Sequence, residues 1–304
     1  MTARRRTFLT WNWLFVLPAL TLLGLFVVYP TLWTIRMSFD TGLGLRLQKF
    51  VGLDNYIRLL TRDQFFLNLS TFPPSGAMIN NIIWLVLFTS LTVGLGLVIA
   101  VLADRVTYEP IVKAVVFLPM AISFTAAGII WLFVYSPDAN TGLLNALVKA
   151  IYPEWQSVAW VGRVETVTYS VIIAAVWMWV GFATVVLSAA LKSIPQEITE
   201  AARVDGANEW HVFWGITLPM LAAPIAVLTT TMVINVLKIF DLIYIMTRGG
   251  PQGASRVIAY TMYTETFEAG KGGYGSAVAV IMLVLIVPVM LLNLRRFRAE
   301  EAER

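Results

Sequence analysis

The stretch LKSIPQEITEAARVDGANEWHVFWGITLPML, residues 191–221, places a polar loop between two strongly apolar runs. Its charged residues keep it from crossing a bilayer. Ser193 and Gln196 have the spacing of a capping box, and Pro195 lies in the first turn, where its missing N–H costs little. A short helix is therefore expected from there. Glu197, Glu200 and Ala201 fall on neighbouring turns, and Gly206 can take the left-handed conformation that ends a helix. A second helical stretch from Asn208 to about Ile216 should lead to Pro219 at the start of the next apolar run. The small side chains of Ala201 and Ala202 permit close backbone approach by a partner, and Glu200 and Asp205 supply fixed negative charge to orient it. The competing reading is an ordinary solvated hairpin.

The surrounding composition explains why such a loop stands out. Of 304 residues, 58% are hydrophobic, with only 22 basic and 18 acidic side chains. Soluble domains run near ~45–50% apolar and ~25% charged, so this is a membrane composition. A spanning helix needs roughly 20 largely apolar residues. Runs at 13–33, 79–103, 111–135, 167–191, 219–240 and 276–294 meet that need. The expected fold is all-α, with six transmembrane helices. The first run follows Arg4, Arg5 and Arg6 but exceeds the ~7–15 apolar residues of a signal peptide, and no small-residue cleavage pattern follows Tyr29-Pro30. A retained first helix is expected.

Basic clusters next to helix ends favour the cytoplasmic side. Arg4-Arg5-Arg6 and Arg295-Arg296-Phe297-Arg298 flank the terminal helices, which puts both termini in the cytoplasm of a multi-pass cell-membrane protein. Basic residues also occur in the longer external loops, around 36–78, 136–166 and 241–275, so the bias is one of density. Within the first of these loops, Asp54 to Leu69 should form a surface helix with Asp54 as N-cap and Ile57, Leu60 and Phe65 at helical spacing. Pro73-Pro74-Ser75-Gly76 then breaks the chain. The expected division is 1–75 as a first helix with an external loop, 76–294 as a transmembrane core containing the loop at 192–219, and 295–304 as a cytoplasmic tail.

Glu200-Ala201-Ala202, three residues, Gly206, nine residues and Ile216-Thr217-Leu218-Pro219 resemble, position by position, the EAA loop of membrane subunits of bacterial ABC importers. That resemblance implies the type I importer permease fold and a coupling helix that docks on an ATPase subunit, with Glu200, Ala201, Ala202 and Gly206 making the contact. Further stretches are similar to the carbohydrate branch of those importers: Phe50-Val51-Gly52-Leu53-Asp54-Asn55-Tyr56 and Thr247-Arg248-Gly249-Gly250-Pro251. Glu109-Pro110-Ile111-Val112-Lys113 and Phe117-Leu118-Pro119-Met120-Ala121-Ile122-Ser123-Phe124 are similar to alpha-glucoside permeases in particular. The implied assembly pairs this chain with a second homologous permease. It adds a cytoplasmic dimer of ATP-binding subunits and an extracytoplasmic solute-binding protein, sits in membrane lipid, and carries a di- or oligosaccharide along a pathway of which this chain forms half.

The chain shows no means of hydrolysing ATP itself. A phosphate-binding loop needs Gly, four residues, then Gly-Lys-Ser/Thr. The Gly270-Lys271 pair has Glu265 where the first Gly should be and Gly272 where the hydroxyl residue should be. With no cysteine and the single His211, no thiolate or multi-histidine metal site is available. No cofactor, metal or catalytic residue is expected. A net charge of +4 without a long basic run gives no nucleic-acid footprint. His211, beside Trp210 and Trp214, suits packing or hydrogen bonding.

A sugar route needs amides, hydroxyls and aromatic faces inside spans. The fourth run offers Trp177, Trp179, Phe182 and Thr184; the fifth offers Thr229, Thr230, Thr231, Asn235, Lys238 and Asp241. Asn235, Lys238 and Asp241 recur every three residues, near one helix face, and the last two can pair with each other. Trp177 and Trp179 cannot share a surface. Trp179, Phe182, Asn235, Lys238 and Asp241 are the candidate substrate path. Lys238 and Asp241 could instead sit wet at the external interface. The alternatives are an importer for another polyol or a sugar phosphate, an ion-coupled secondary transporter using Lys238 and Asp241, and an intramembrane enzyme dependent on Asp241.

Overall fold

A computed structural model describes residues 14–70, 72–138 and 140–302, with side chains described to Leu291. Arg4, Arg5, Arg6 and Trp13 lie outside the described residues, as do the side chains of the 295–298 cluster. The described chain is helical, and its only pairings of strand type are three isolated bridges.

Among the described residues, four helices are long and apolar enough to cross a membrane unbroken: α1 (Leu14–Met37), α3 (Ala77–Ala103), α7 (Val167–Lys192) and α13, the Gly272–Ala302 helix, over its Gly272–Leu291 part. The third and fifth expected spans are each broken. α4 (Glu109–Phe117) runs through a 3₁₀ turn to Ala121 and then bends by 103° into α5 (Phe124–Val134). At ~1.5 Å per residue neither arm reaches the roughly 30 Å of a hydrocarbon core. Ile122 is extended, and Ser123 starts a new helix by accepting the Ala126 N–H at 3.2 Å. The span expected over 111–135 is thus present as two arms with a sharp bend between them.

The expected straight helix over 219–240 is likewise two pieces. α9 (Glu209–Met220) bends by 63° at Leu221 into α10 (Ala222–Leu237). Pro224 lacks the N–H that would bond back to Met220, and its ring crowds that carbonyl, so the chain turns between them. α10 then ends at Leu237, and separate helices, α11 (Asp241–Met246) and α12 (Ile258–Tyr263), follow, while α6 (Leu143–Ile151) lies between α5 and α7 in the chain.

The chain divides into two compact units. In the unit formed by 63–261 and 284–304, α3 and α7 pack closely because small residues face each other: a Cβ added at Gly96 would lie 2.6 Å from the Ala183 Cβ. At Gly181 of α7 an added Cβ would lie 2.2 Å from the carbonyl oxygen of Val116, so glycine lets the α4 backbone rest directly on α7. The core holds Trp84, Phe88, Tyr135, Ile172, Met232 and Leu242. Trp177 packs edge-on against Trp131 at 5.8 Å, which assigns this tryptophan to helix packing. Tyr135 donates its hydroxyl to the Ser170 carbonyl at 2.9 Å. Two buried amides in α3 hold the 254–258 segment: Asn80 donates to the Ala254 and Arg256 carbonyls, and Asn81 accepts the Ile258 N–H at 2.8 Å.

In the unit formed by 1–62 and 262–283, the segment after α1 is organised by buried Asp40. Its carboxylate accepts the N–H groups of Gln48 at 2.6 Å, Lys49 at 3.0 Å and Gly42 at 3.1 Å. Asn55 donates to the carbonyls of Ser38 and Asp40, each at 2.9 Å. The following helix is shorter than expected, α2 (Asp54–Thr61), with Leu53 as N-cap and Asp54 in the first turn. Ile57 and Leu60 are exposed while Leu59 is fully buried. The packed face is therefore the one through Asn55 and Leu59, which anchors the segment by hydrogen bonds that hydrophobic spacing does not reveal.

Candidate functional site

The loop between α7 and α10 forms two helices joined by a turn, α8 (Gln196–Val204) and α9. The expected capping box is absent. Ser193 is the C-cap of α7, and its hydroxyl donates to the Ala190 carbonyl at 2.7 Å, while Pro195 takes the N-cap position of α8. The preceding helix thus claims the serine side chain, since a hydroxyl near a helix end readily bonds back to a carbonyl three residues earlier.

The other end of α8 behaves as the sequence suggests. Gly206 has φ +85°, the Gly206 N–H donates to the Arg203 carbonyl at 3.1 Å, and the Ala207 N–H donates to the Ala202 carbonyl at 3.0 Å. This is a Schellman cap, and it requires a left-handed residue at position 206. Glu200, Ala201 and Gly206 are exposed, Ala202 is half-buried, and no residue of α8 is buried. The four residues thus stand on or beside one short exposed helix.

Charged side chains tie this hairpin to the 104–110 link. Glu209 accepts from Arg203 Nε at 2.8 Å and from Arg105 Nη2 at 3.2 Å. Glu109 pairs with Lys192 at 2.8 Å and with Lys113 one turn along α4. A cavity of about 530 Å³ opens among these groups, with Asp104, Arg105, Glu200, Arg203 and Glu209 on its wall. Asn208 caps α9 by accepting the His211 N–H at 2.9 Å, and its Oδ1 also lies 2.7 Å from His211 Nδ1. His211 is therefore a hydrogen-bonding residue of the turn.

The second candidate region lies where α3, α5, α7, α10 and α11 meet. A cavity of about 180 Å³ is lined by Trp179, Asn235, Lys238 and Asp241 with Phe88 and Phe124. Four of the five residues predicted for the substrate path come together here. Phe182 is not on the wall; it supports Trp179 edge-on at 6.0 Å. The reason that Asn235, Lys238 and Asp241 converge differs from the expected helix face. Lys238 caps α10, and Asp241 opens α11 after a two-residue break. No ion pair joins Lys238 to Asp241 among the described residues, so the expected i,i+3 partnership is corrected: there is no continuous helix to set it. Both side chains are exposed, and Asn235 is half-buried.

Phe88, Phe124, Phe240 and Leu242 also line the cavity, and sequence reasoning did not place them there. Each is one apolar residue among many in or beside an apolar helix, so none carries a local signal. No group of three or more metal-ligating side chains occurs among the described residues.

Among the described residues, four unbroken apolar helices, two bent pairs and an exposed helix, α8, between two of them give the architecture of a polytopic membrane protein. Residues 92–295 match the family described as binding-protein-dependent transport system inner membrane component, and the chain belongs to that family. It is 45% identical over 292 residues to an osmoprotective compounds uptake permease protein of Synechocystis, covering 95% of this chain and 99% of that one. It is 40% identical over 293 residues to the alpha-glucoside transport system permease protein of Rhizobium meliloti, covering 95% and 82%. A solved bacterial ABC transporter involved in alginate import superposes with a TM-score of 0.74 at 24% identity, over 96% of each chain, which shows the ABC importer permease fold.

Proposed function

We propose that this chain is one permease subunit of an ATP-driven importer for a di- or oligosaccharide of the alpha-glucoside type. The carrying observation is the cavity that gathers Trp179, Asn235, Lys238 and Asp241, in a chain 40% identical to an alpha-glucoside permease. An indole offers an apolar face to a sugar ring, and an amide with two charged groups replaces water around its hydroxyls. At about 180 Å³ the cavity is smaller than the roughly 300–1,000 Å³ of complete small-molecule sites. A half-site completed by a second homologous permease accounts for that size.

In this reading α8 is the coupling helix. Glu200, Ala201, Ala202 and Gly206 meet a cytoplasmic ATP-binding subunit, whose dimer supplies the energy. Closure of that dimer draws the coupling helices together and opens the passage to an external solute-binding protein; hydrolysis resets it. Both termini and the 192–219 loop then face the cytoplasm, with 1–75 as first helix and external loop, 76–294 as the core and 295–304 as a tail. The similarity to an osmoprotective compounds uptake permease favours a second substrate reading, an osmoprotective solute.

The test is uptake by proteoliposomes holding this chain, its second permease, the ATPase and the binding protein, over a panel of alpha-glucosides, polyols and sugar phosphates. ATP-dependent uptake of alpha-glucosides is expected. Uptake that persists without the ATPase and follows an ion gradient would refute the importer reading. Uptake restricted to polyols or sugar phosphates would refute the sugar assignment alone.

A further inference from the structure

α9 carries features that neither coupling nor substrate passage uses. This helix turns 63° away from α10, so it cannot run parallel to the helix it precedes. At 12 residues it extends about 18 Å. Its outward face carries Trp210, 68% exposed, and Trp214, 51% exposed, whose rings meet at a tilt with centroids 5.5 Å apart. The opposite face is tied down: Val212 is buried, and Leu221 is buried at the bend.

The exposed strip does not stop at the indoles. It continues through Met220 and Ala223 to Val227, onto the outer face of α10, whose composition suits a membrane span. A surface continuous with the exposed side of an apolar helix and ending in two tryptophans in ring contact has the chemistry of the bilayer interface. There the indole rings meet acyl chains and the ring N–H groups meet headgroup oxygens.

We propose that α9 is an interfacial elbow that lies along the lipid headgroup boundary, with Trp210 and Trp214 as its anchors. Through the Asn208 turn and the Glu209–Arg203 ion pair, the anchored elbow sets the depth at which α8 stands. The proposal rests on membrane residence and is independent of what α8 touches.

The chain has no cysteine, so a single probe can be placed without background. Gly215→Cys puts a spin label next to Trp214 in the chain, at a position where an added Cβ meets nothing within 4 Å. Val204→Cys, on a residue 87% exposed on α8, is the aqueous reference. Both are measured in full-chain permease complexes in anionic nanodiscs, with and without the ATPase, by collision with oxygen and with a water-soluble nickel chelate. At position 215 a gain in oxygen collisions and a loss of nickel collisions relative to position 204 is expected, unchanged when the ATPase is removed. Replacing both indoles (Trp210→Ser with Trp214→Ser) should shift the 215 probe toward the aqueous values, whereas the Trp210→Phe, Trp214→Phe pair should shift it less. An aqueous profile at 215 without the ATPase overturns the proposal, and protection that appears only on adding the ATPase identifies a protein docking surface instead.

Discussion

Replacing Gly206 isolates the cap of α8 from every other feature of the hairpin. The residue has φ +85°, and a Cβ built there meets no atom within 4 Å, so a side chain has room and the cost is conformational. Holding an L-residue in that region costs roughly 1–2 kcal/mol, with a β-branched residue at the upper end. Loss of glycine's freedom in the unfolded chain offsets about 0.4–1 kcal/mol. Gly206→Val should therefore destabilise the cap by about 1 kcal/mol, an increase of roughly fivefold in the population of opened α8. Gly206→Ala should do less, and Gly206→Asn least, because asparagine tolerates the left-handed region. Hydrogen exchange of amides 196–207 by mass spectrometry reads this directly, above all at Ala207, whose N–H reaches the Ala202 carbonyl. Exchange in Gly206→Val equal to that of the unaltered chain refutes the cap argument. Faster exchange with undiminished co-purification of the ATPase leaves the cap intact as an explanation and refutes the coupling role.

Asn235→Leu should reduce sugar uptake while leaving assembly with the ATPase unchanged; uptake at the original rate removes Asn235 from the route. Gly181→Leu should destabilise the α4–α7 contact by about 1–3 kcal/mol, because its first side-chain atom would fall 2.2 Å from the Val116 carbonyl oxygen; an unchanged melting temperature in detergent would contradict that contact. The Gln48 amide, followed by those of Gly42 and Lys49 and the Arg36 charge, holds the Asp40 carboxyl below its ordinary value of 3.8 against the opposing effect of burial. A depressed carboxyl stabilises the fold above the unfolded value and loses that contribution as pH falls through the folded one. Amide exchange at 42 and 48–49, corrected for intrinsic rates, should therefore accelerate as pH drops below about 4, and Asp40→Asn should remove most of this pH dependence.

Much of the molecule is visible in its residue order. The apolar runs locate α1, α3, α7 and α13 because spanning a bilayer imposes length and composition together. The left-handed cap is visible at Gly206 because only glycine takes that conformation freely. The two broken spans are harder to see, because Pro119 and Pro224 mark possible breaks without stating how far the chain turns. Capping is also ambiguous from spacing alone: the Ser193 hydroxyl can serve the helix before it or the helix after it, and the geometry around Ala190 selects the first.

Residue order by itself determined that this chain is helical, belongs in a membrane and carries one exposed polar hairpin, because hydrophobic run length, helix caps and charge are local properties. Tertiary structure alone decided that Asn235, Lys238 and Asp241 meet Trp179, Phe88 and Phe124 around one cavity, and that they do so across a helix break. It likewise decided that Asn80 and Asn81 hold a segment more than 170 positions away. Those contacts depend on where helix axes turn and cross, and no spacing within a single helix encodes that.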